Sequence, residues 1–141
     1  MKKESGIAMD NRIKTELDNI IGALTRTGIV SQIILFGSYA KGEERPGSDI
    51  DLCVLTPVGD KHPIDITVDF KTKLYGVKTM PLDLIAYNKD VFWYHAGRPT
   101  SFEHEIAETG VTIYGKNWGI DRREAPAPQK KIKKYLTSDS P

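Results

Sequence analysis

Two aspartates, Asp49 and Asp51, stand two residues apart at the start of an apolar run that continues Leu-Cys-Val-Leu. Side chains two apart in a β-strand point to the same side, so the two carboxylates should project together. Neighbouring carboxylates repel each other unless a cation or a shared proton relieves them. Mg²⁺ is usually held by a few carboxylates and the phosphates of a substrate, which makes this pair a candidate magnesium site. For a bare Asp-x-Asp, a solvated strand end is the alternative.

A glycine–serine pair, Gly37-Ser38, follows another apolar run and precedes Asp49 by ten intervening residues. Glycine lets a phosphate approach the backbone, and the amide groups that open a helix favour an anion. The Ser38 hydroxyl adds a further donor. On its own the pair is compatible with an ordinary turn, but beside two carboxylates it indicates a phosphate-binding turn.

A third carboxylate, Asp83, interrupts the apolar segment Leu82-Asp83-Leu84-Ile85. A buried carboxylate without a partner is costly, so either Asp83 faces water on an edge strand or it has a partner. If its strand lies beside the strand of Asp51, Asp83 can join the first two carboxylates around a metal. Together, the three features predict a divalent-ion site that faces the Gly37-Ser38 turn.

The elements that must position these residues can be predicted from periodicity, caps and breakers. We expect four helices. The first is capped by Asp10 and closed by Gly28, and the second covers 63–79. The third runs from Asn88 through His95, and the fourth from a Thr100–Glu103 capping box to Thr109. The segment 63–79 also shows strand-like alternation, but its helical pattern is longer. Strands are expected at 29–36, 49–55, 82–87 and 111–114, with a helical turn and loop at 38–48.

The chain of 141 residues has the size of one domain, with 39% hydrophobic and 28% charged residues. A domain this small has to rely on a second subunit or partner to grip a large substrate. The single cysteine, Cys53, excludes an internal disulfide. No apolar stretch is long enough for a membrane span, and the N-terminus lacks a signal-peptide core, so we expect a cytoplasmic protein.

The charge is unevenly distributed. Residues 1–115 carry 13 Lys and Arg against 16 Asp and Glu, whereas residues 116–141 carry 7 against 3. The body therefore lacks the cationic footprint of a general nucleic-acid binder. The segment 116–141, with three prolines and a Lys-Lys-Ile-Lys-Lys run, is predicted to be a disordered tail. Only this tail is a candidate for nucleic-acid contact, and a solvated charge run is the favoured interpretation.

The segment FGSYAKGEERPGSDIDLCVL (36–55) resembles the Gly-Ser-x10-Asp-x-Asp signature of the DNA polymerase β-like nucleotidyltransferases, and the short length resembles their minimal (MNT) branch. The resemblance implies an α/β nucleotidyltransferase domain over 1–115, with a mixed sheet flanked by helices. It further implies that Gly37 and Ser38 hold the phosphates of an NTP, that Asp49 and Asp51 bind two Mg²⁺ ions, and that Asp83 completes the metal site and helps deprotonate an acceptor hydroxyl. Many relatives have a basic residue where this chain has Tyr39, which leaves Lys41 as the basic residue for phosphate contact.

By the same resemblance, we expect AMP transfer from ATP to a hydroxyl. Proteins of the MNT branch often act as antitoxins by adenylylating a HEPN-type ribonuclease toxin, and the lack of a substrate-gripping domain favours a protein acceptor. Two alternatives stay open: a non-catalytic module that neutralises its partner by covering it, and a small-molecule enzyme similar to the aminoglycoside nucleotidyltransferases. Those enzymes carry an additional helical domain, so this last alternative ranks lowest.

Overall fold

The computed structural model describes residues 11–57, 59 and 61–115. Within them the chain forms five helices and four strands. The helices are α1 (Asn11–Thr25), α2 (Ser38–Lys41), α3 (Pro63–Leu74), α4 (Lys89–Ala96) and α5 (Phe102–Thr109). The strands are β1 (Gln32–Phe36), β2 (Ile50–Thr56), β3 (Leu82–Asn88) and β4 (Val111–Gly115).

The four strands form one mixed sheet in the order β3-β2-β1-β4. The β2–β3 pair is parallel, whereas β1 pairs antiparallel with both β2 and β4. The predicted mixed sheet flanked by helices is therefore confirmed. Asp51 is the register partner of Phe36 on one side and of Asp83 on the other. These three side chains consequently stand in a row on one face of the sheet.

Helices cover both faces of the sheet, and the side chains of β2 alternate between them. Ile50, Leu52 and Val54 pack in a buried cluster with residues of α1 and α3. Cys53 and Leu55 face the other way and pack with residues of α4 and α5. Because Asp51 has the same parity as Cys53, its carboxylate lies at the end of the α4–α5 face.

A buried carboxylate ties α1 to the segment that leads into β3. Glu16 is 4% exposed and accepts hydrogen bonds from the Thr79 N–H at 2.7 Å, the Thr79 hydroxyl at 2.8 Å and the Met80 N–H at 3.1 Å. Burial alone would raise the pKa of Glu16, but these hydrogen bonds and the charge of Lys78 outweigh it and lower the pKa. The contact fixes the start of β3 and therefore the strand that carries Asp83.

Several predicted boundaries were wrong by a few residues. The first strand begins at Gln32 rather than Ile29, and β2 begins at Ile50, one residue after Asp49. Helix α3 ends at Leu74, well before Thr79, because the chain turns there and the N–H groups of residues 77 and 78 both donate to the Leu74 carbonyl.

Two predicted caps also differ. Helix α5 is capped by Ser101 rather than Thr100, since the Ser101 hydroxyl accepts from the His104 N–H at 2.9 Å. Asn88 occupies the N-cap position of α4, but its side chain makes no capping bond. Helix α1 ends at Thr25, and Gly28, with φ 78°, lies beyond it in the following turn rather than directly at its end. The Asp10 cap and the segment 116–141 lie outside the described residues.

Candidate active site

Asp51 and Asp83 lie side by side at one end of the sheet. They are register partners on the parallel strands β2 and β3, and both line a cleft of about 250 Å³. Asp51 is half-buried and Asp83 is exposed at the mouth of this cleft. The structure thus brings together two of the three carboxylates that the sequence singled out, through the strand adjacency on which that prediction depended.

The surroundings of Asp51 raise the pKa of its carboxyl. The largest cause is desolvation by burial, followed by the negative charges of Asp83 and then Asp49. Asp83 and Asp49 therefore both lie close enough to Asp51 to disfavour its charged form. A bound cation removes this repulsion, and a set of carboxylate oxygens is the ligand type that Mg²⁺ favours. The chemistry of the site thus fits a divalent metal held by Asp49, Asp51 and Asp83.

Asp49 occupies a different position from its two neighbours. It is exposed, precedes the first residue of β2, and is not among the residues that line the cleft. In the described part of the chain, no three Asp, Glu, His or Cys side chains are already grouped as the ligands of one ion. The metal-ligand roles assigned to Asp49, Asp51 and Asp83 stay predictions.

Gly37 is the residue that lets the turn after β1 approach Asp51. Its φ of 78° lies in the left-handed region that favours glycine. A Cβ at this position would lie only 2.9 Å from Cγ of Asp51 and would overlap its carboxylate oxygen. Both the backbone conformation and the space therefore exclude a side chain. From the sequence, Gly37 was expected to let a phosphate approach the backbone. The close contact with Asp51 is a second reason why this position needs a glycine.

Ser38 and Lys41 bracket the short helix α2 that follows this glycine. The Gly37 carbonyl accepts hydrogen bonds from the N–H groups of Ala40, at 3.1 Å, and Lys41, at 3.2 Å, which closes the turn. The Lys41 ammonium lies 3.8 Å from a carboxylate oxygen of Glu105 on α5, and both side chains are substantially exposed. Neither Ser38 nor Lys41 lines the cleft, and their predicted contacts with phosphate stay predictions.

Five further residues line the cleft and were not singled out as site residues from the sequence: Phe36, Lys71, Leu84, Ile85 and Phe102. Phe36 and Phe102 form an aromatic wall, with ring centroids 6.0 Å apart and planes at 82°. Phe102 begins α5 and remains 52% exposed. Lys71, on α3, adds a positively charged side chain to the lining. Phe36 could have been found, because it directly precedes the Gly-Ser pair, but no local pattern marks Lys71 or Phe102.

Comparison with known proteins agrees with this geometry. The family described as "Polymerase beta, Nucleotidyltransferase" matches residues 18–118. A protein of Methanocaldococcus jannaschii named "Putative protein adenylyltransferase MJ0604" is 36% identical over 92 residues, which cover 62% of this chain and 81% of the relative.

The solved structures to which the chain is similar include two toxin–antitoxin complexes. A tri-AMPylated Shewanella oneidensis HEPN toxin in complex with its MNT antitoxin matches with 20% identity and a TM-score of 0.45, covering 90% of this chain and 89% of that one. A toxin–antitoxin crystal structure with AMP-PNP matches with 21% identity and a TM-score of 0.43, covering 87% and 90%.

The chain belongs to the polymerase beta nucleotidyltransferase family. The family predicted from residues 36–55 is thereby confirmed, and its activity class is nucleotidyl transfer. No helix among the described residues is long and apolar enough to cross a membrane.

Proposed function

We propose that this protein is a Mg²⁺-dependent adenylyltransferase that moves AMP from ATP to a hydroxyl group on a partner protein, and that it serves as the antitoxin of a HEPN-type toxin pair. The observation that carries the proposal is the pairing of Asp51 with Asp83 on adjacent parallel strands, directly beneath the Gly37 turn. This arrangement puts two acidic side chains in one cleft and places one of them, Asp51, against a glycine backbone that a phosphate can approach.

The proposed reaction is an in-line displacement at the α-phosphorus of ATP. The acceptor oxygen forms a new bond to the α-phosphorus, the bond to the bridging oxygen breaks, and pyrophosphate leaves with that oxygen. Asp83, exposed at the mouth of the cleft, would accept the proton of the acceptor hydroxyl. Gly37 and Ser38 would orient the phosphates, so the protein contributes mainly positioning and electrostatic stabilisation.

Asp49 and Asp51 would hold the divalent metal, with Asp83 completing the set. When bound, Mg²⁺ supplies positive charge that acidifies the attacking hydroxyl and stabilises the leaving oxygens. The raised pKa of Asp51 is consistent with this assignment, since burial is its largest cause and the charges that add to it are those of the two other proposed ligands, Asp83 and Asp49.

A protein acceptor is supported by the relative named as a protein adenylyltransferase, whose length this chain covers to 81%.

The proposal is tested by mixing the protein with the product of the adjacent gene, Mg²⁺, and ATP labelled at either the α- or the γ-phosphate. We expect the partner to gain label only from α-labelled ATP, with a mass increase of one or more AMP groups. Label from γ-labelled ATP would indicate a kinase instead, and no label from any NTP would contradict nucleotidyl transfer to this partner.

A non-catalytic antitoxin is the competing hypothesis, because covering a toxin needs no chemistry. The two carboxylates, Asp83 and Asp49, that disfavour the charge of Asp51 argue against it, since a purely binding protein has no use for such a cluster. An Asp49→Ala, Asp51→Ala double variant separates the two hypotheses. If it still protects cells from the partner, the non-catalytic account is correct.

A further inference from the structure

Helix α3 carries a row of exposed apolar side chains. Ile64 is 65% exposed, Val68 55% and Tyr75, at the end of the helix, 88%. Spacings of four and seven residues place all three along one side of the helix. We call these residues the α3 stripe. It holds three of the six large hydrophobic side chains that are exposed in the described residues, so the exposed apolar surface is concentrated on this helix.

The α3 stripe runs directly into the candidate active site. Lys71 lies on the same side of the helix, three residues after Val68 and four before Tyr75, and it lines the cleft with Asp51 and Asp83. The adjoining flank of α3 touches the outer strand of the sheet, because the Thr67 hydroxyl accepts a hydrogen bond from the Ala86 N–H at 3.1 Å. The stripe and the carboxylates therefore belong to one continuous surface.

This continuity suggests what covers the stripe. A cleft of about 250 Å³ can admit one side chain but offers little contact area to the molecule that bears it. Most of the binding energy must then come from surface outside the cleft, and apolar or aromatic anchors usually supply it. In the described residues, the α3 stripe is the apolar surface that leads to the cleft through Lys71.

We infer that the α3 stripe is the docking surface for the protein acceptor. An apolar patch on the acceptor packs against Ile64, Val68 and Tyr75, while a serine, threonine or tyrosine side chain beside that patch enters the cleft and presents its hydroxyl to Asp83. The inference rests on the proposed function, because it identifies where the acceptor of that reaction is held.

The test compares Val68→Glu with Ile29→Glu. Both substitutions replace an exposed apolar side chain with a carboxylate. Ile29 is the control, because it precedes β1 and lies outside α3. With the adjacent-gene protein as acceptor, Val68→Glu should raise the KM for this acceptor at least about tenfold, as expected for an anchor residue. The affinity for ATP, measured by calorimetry, should stay within about twofold of wild type. Ile29→Glu should change neither value.

The controls separate this inference from the proposed function. No transfer by the wild-type protein overturns the proposed function and the docking surface with it. Transfer by the wild type, with an unchanged KM for Val68→Glu, overturns the docking surface alone. If Val68→Glu alters circular dichroism, Tyr75→Ala at the 88% exposed position decides by the same KM criterion.

Two other occupants of the stripe would also contradict the inference. A change from dimer to monomer in light scattering, with KM unchanged, would assign the stripe to a second copy of this chain. The other outcome is that trypsin cleaves residues 116–141 faster in Val68→Glu than in wild type, again with the KM for the acceptor unchanged. This would assign the α3 stripe to the C-terminal segment of the same chain.

Discussion

Gly37 and Asp51 depend on each other at the scale of single residues. The carboxylate of Asp51 occupies the space that any side chain at position 37 would need. The turn proposed to bind phosphate and the carboxylate proposed to bind metal thus meet without an intervening side chain. The glycine is conformationally and sterically necessary, which distinguishes it from the other positive-φ glycines in the loops nearby.

Gly37→Ala should therefore abolish nucleotidyl transfer, and Gly42→Ala is its matched control. Gly42 has nearly the same φ, 72°, but nothing lies within 4 Å of a Cβ built there. Gly42→Ala should lose about 1–2 kcal/mol of unfolding free energy from backbone strain. Gly37→Ala should lose more, because its ψ of −153° places Gly37 in a backbone region that essentially only glycine adopts. Only Gly37→Ala should also displace Asp51 and lose activity by more than about 100-fold. Equal activity of the two variants in a transfer assay would contradict this account.

At the scale of elements, Glu16 connects α1 to the strand that carries Asp83. Glu16→Gln keeps the size of the side chain but removes the charge that receives three hydrogen bonds. We expect a loss of about 1.5–3 kcal/mol in urea unfolding at pH 7. Asp18→Asn, on the exposed side of the same helix, is the control and should change stability by less than about 0.5 kcal/mol.

The same contact predicts a pH dependence. Because the folded pKa of Glu16 is lowered from 4.5, its contribution to stability is fully present above pH 4.5 and is lost as the pH falls through the lowered value. The stability difference between wild type and Glu16→Gln should therefore shrink as the pH is lowered below about 4.5. A difference that is the same at pH 7 and at the acid end would show that the ionised carboxylate is not what stabilises this contact.

Helix α3 is attached to the outer strand by a second polar contact. Thr67→Val removes the acceptor of the buried Ala86 N–H, which should cost about 1–3 kcal/mol. Thr72→Val is the matched control, because the Thr72 hydroxyl only donates to a carbonyl of its own helix and is exposed. Thermal unfolding should distinguish the two variants clearly. A cost for Thr67→Val as small as that for Thr72→Val would mean that the hydrogen bond contributes nothing to the docking of α3.

The order of elements could be predicted from sequence, because apolar runs, glycines and prolines mark them locally. The exact ends could not. Thr100 and Ser101 are both good capping residues, and only the folded backbone decides that Ser101 reaches the His104 N–H. The same holds for α3, whose apolar pattern continues to Val77 although the helix ends at Leu74.

At the scale of the whole molecule, the site depends on strand order. The sequence contains all three carboxylates, but their convergence requires β3 to lie parallel to β2 in the register that pairs Asp83 with Asp51. That pairing is a tertiary contact between residues far apart in the chain, so no local spacing encodes it. Lys71 and Phe102 escaped prediction for the same reason, since they reach the cleft from helices on different sides of the sheet.

The size of the cleft bears on how the proposed reaction depends on a partner. The described residues provide a sheet, five helices and a cleft lined by two carboxylates, two aromatic rings, a lysine and two aliphatic residues of β3. In the proposed function, the acceptor therefore needs contacts beyond this cleft. The carboxylates would carry out the chemistry, and the surface around them would select the acceptor.

The central claim is that the Asp51 carboxylate takes part directly in nucleotidyl transfer. It is tested most directly by the rate of AMP transfer from α-labelled ATP by wild type and Asp51→Asn, at saturating Mg²⁺ and with thermal unfolding recorded for both. We expect the rate of Asp51→Asn to fall at least about 100-fold, because a weakened metal site would remove several kcal/mol of transition-state stabilisation. Its melting temperature should be unchanged or higher. Transfer by Asp51→Asn within twofold of wild type would contradict the account.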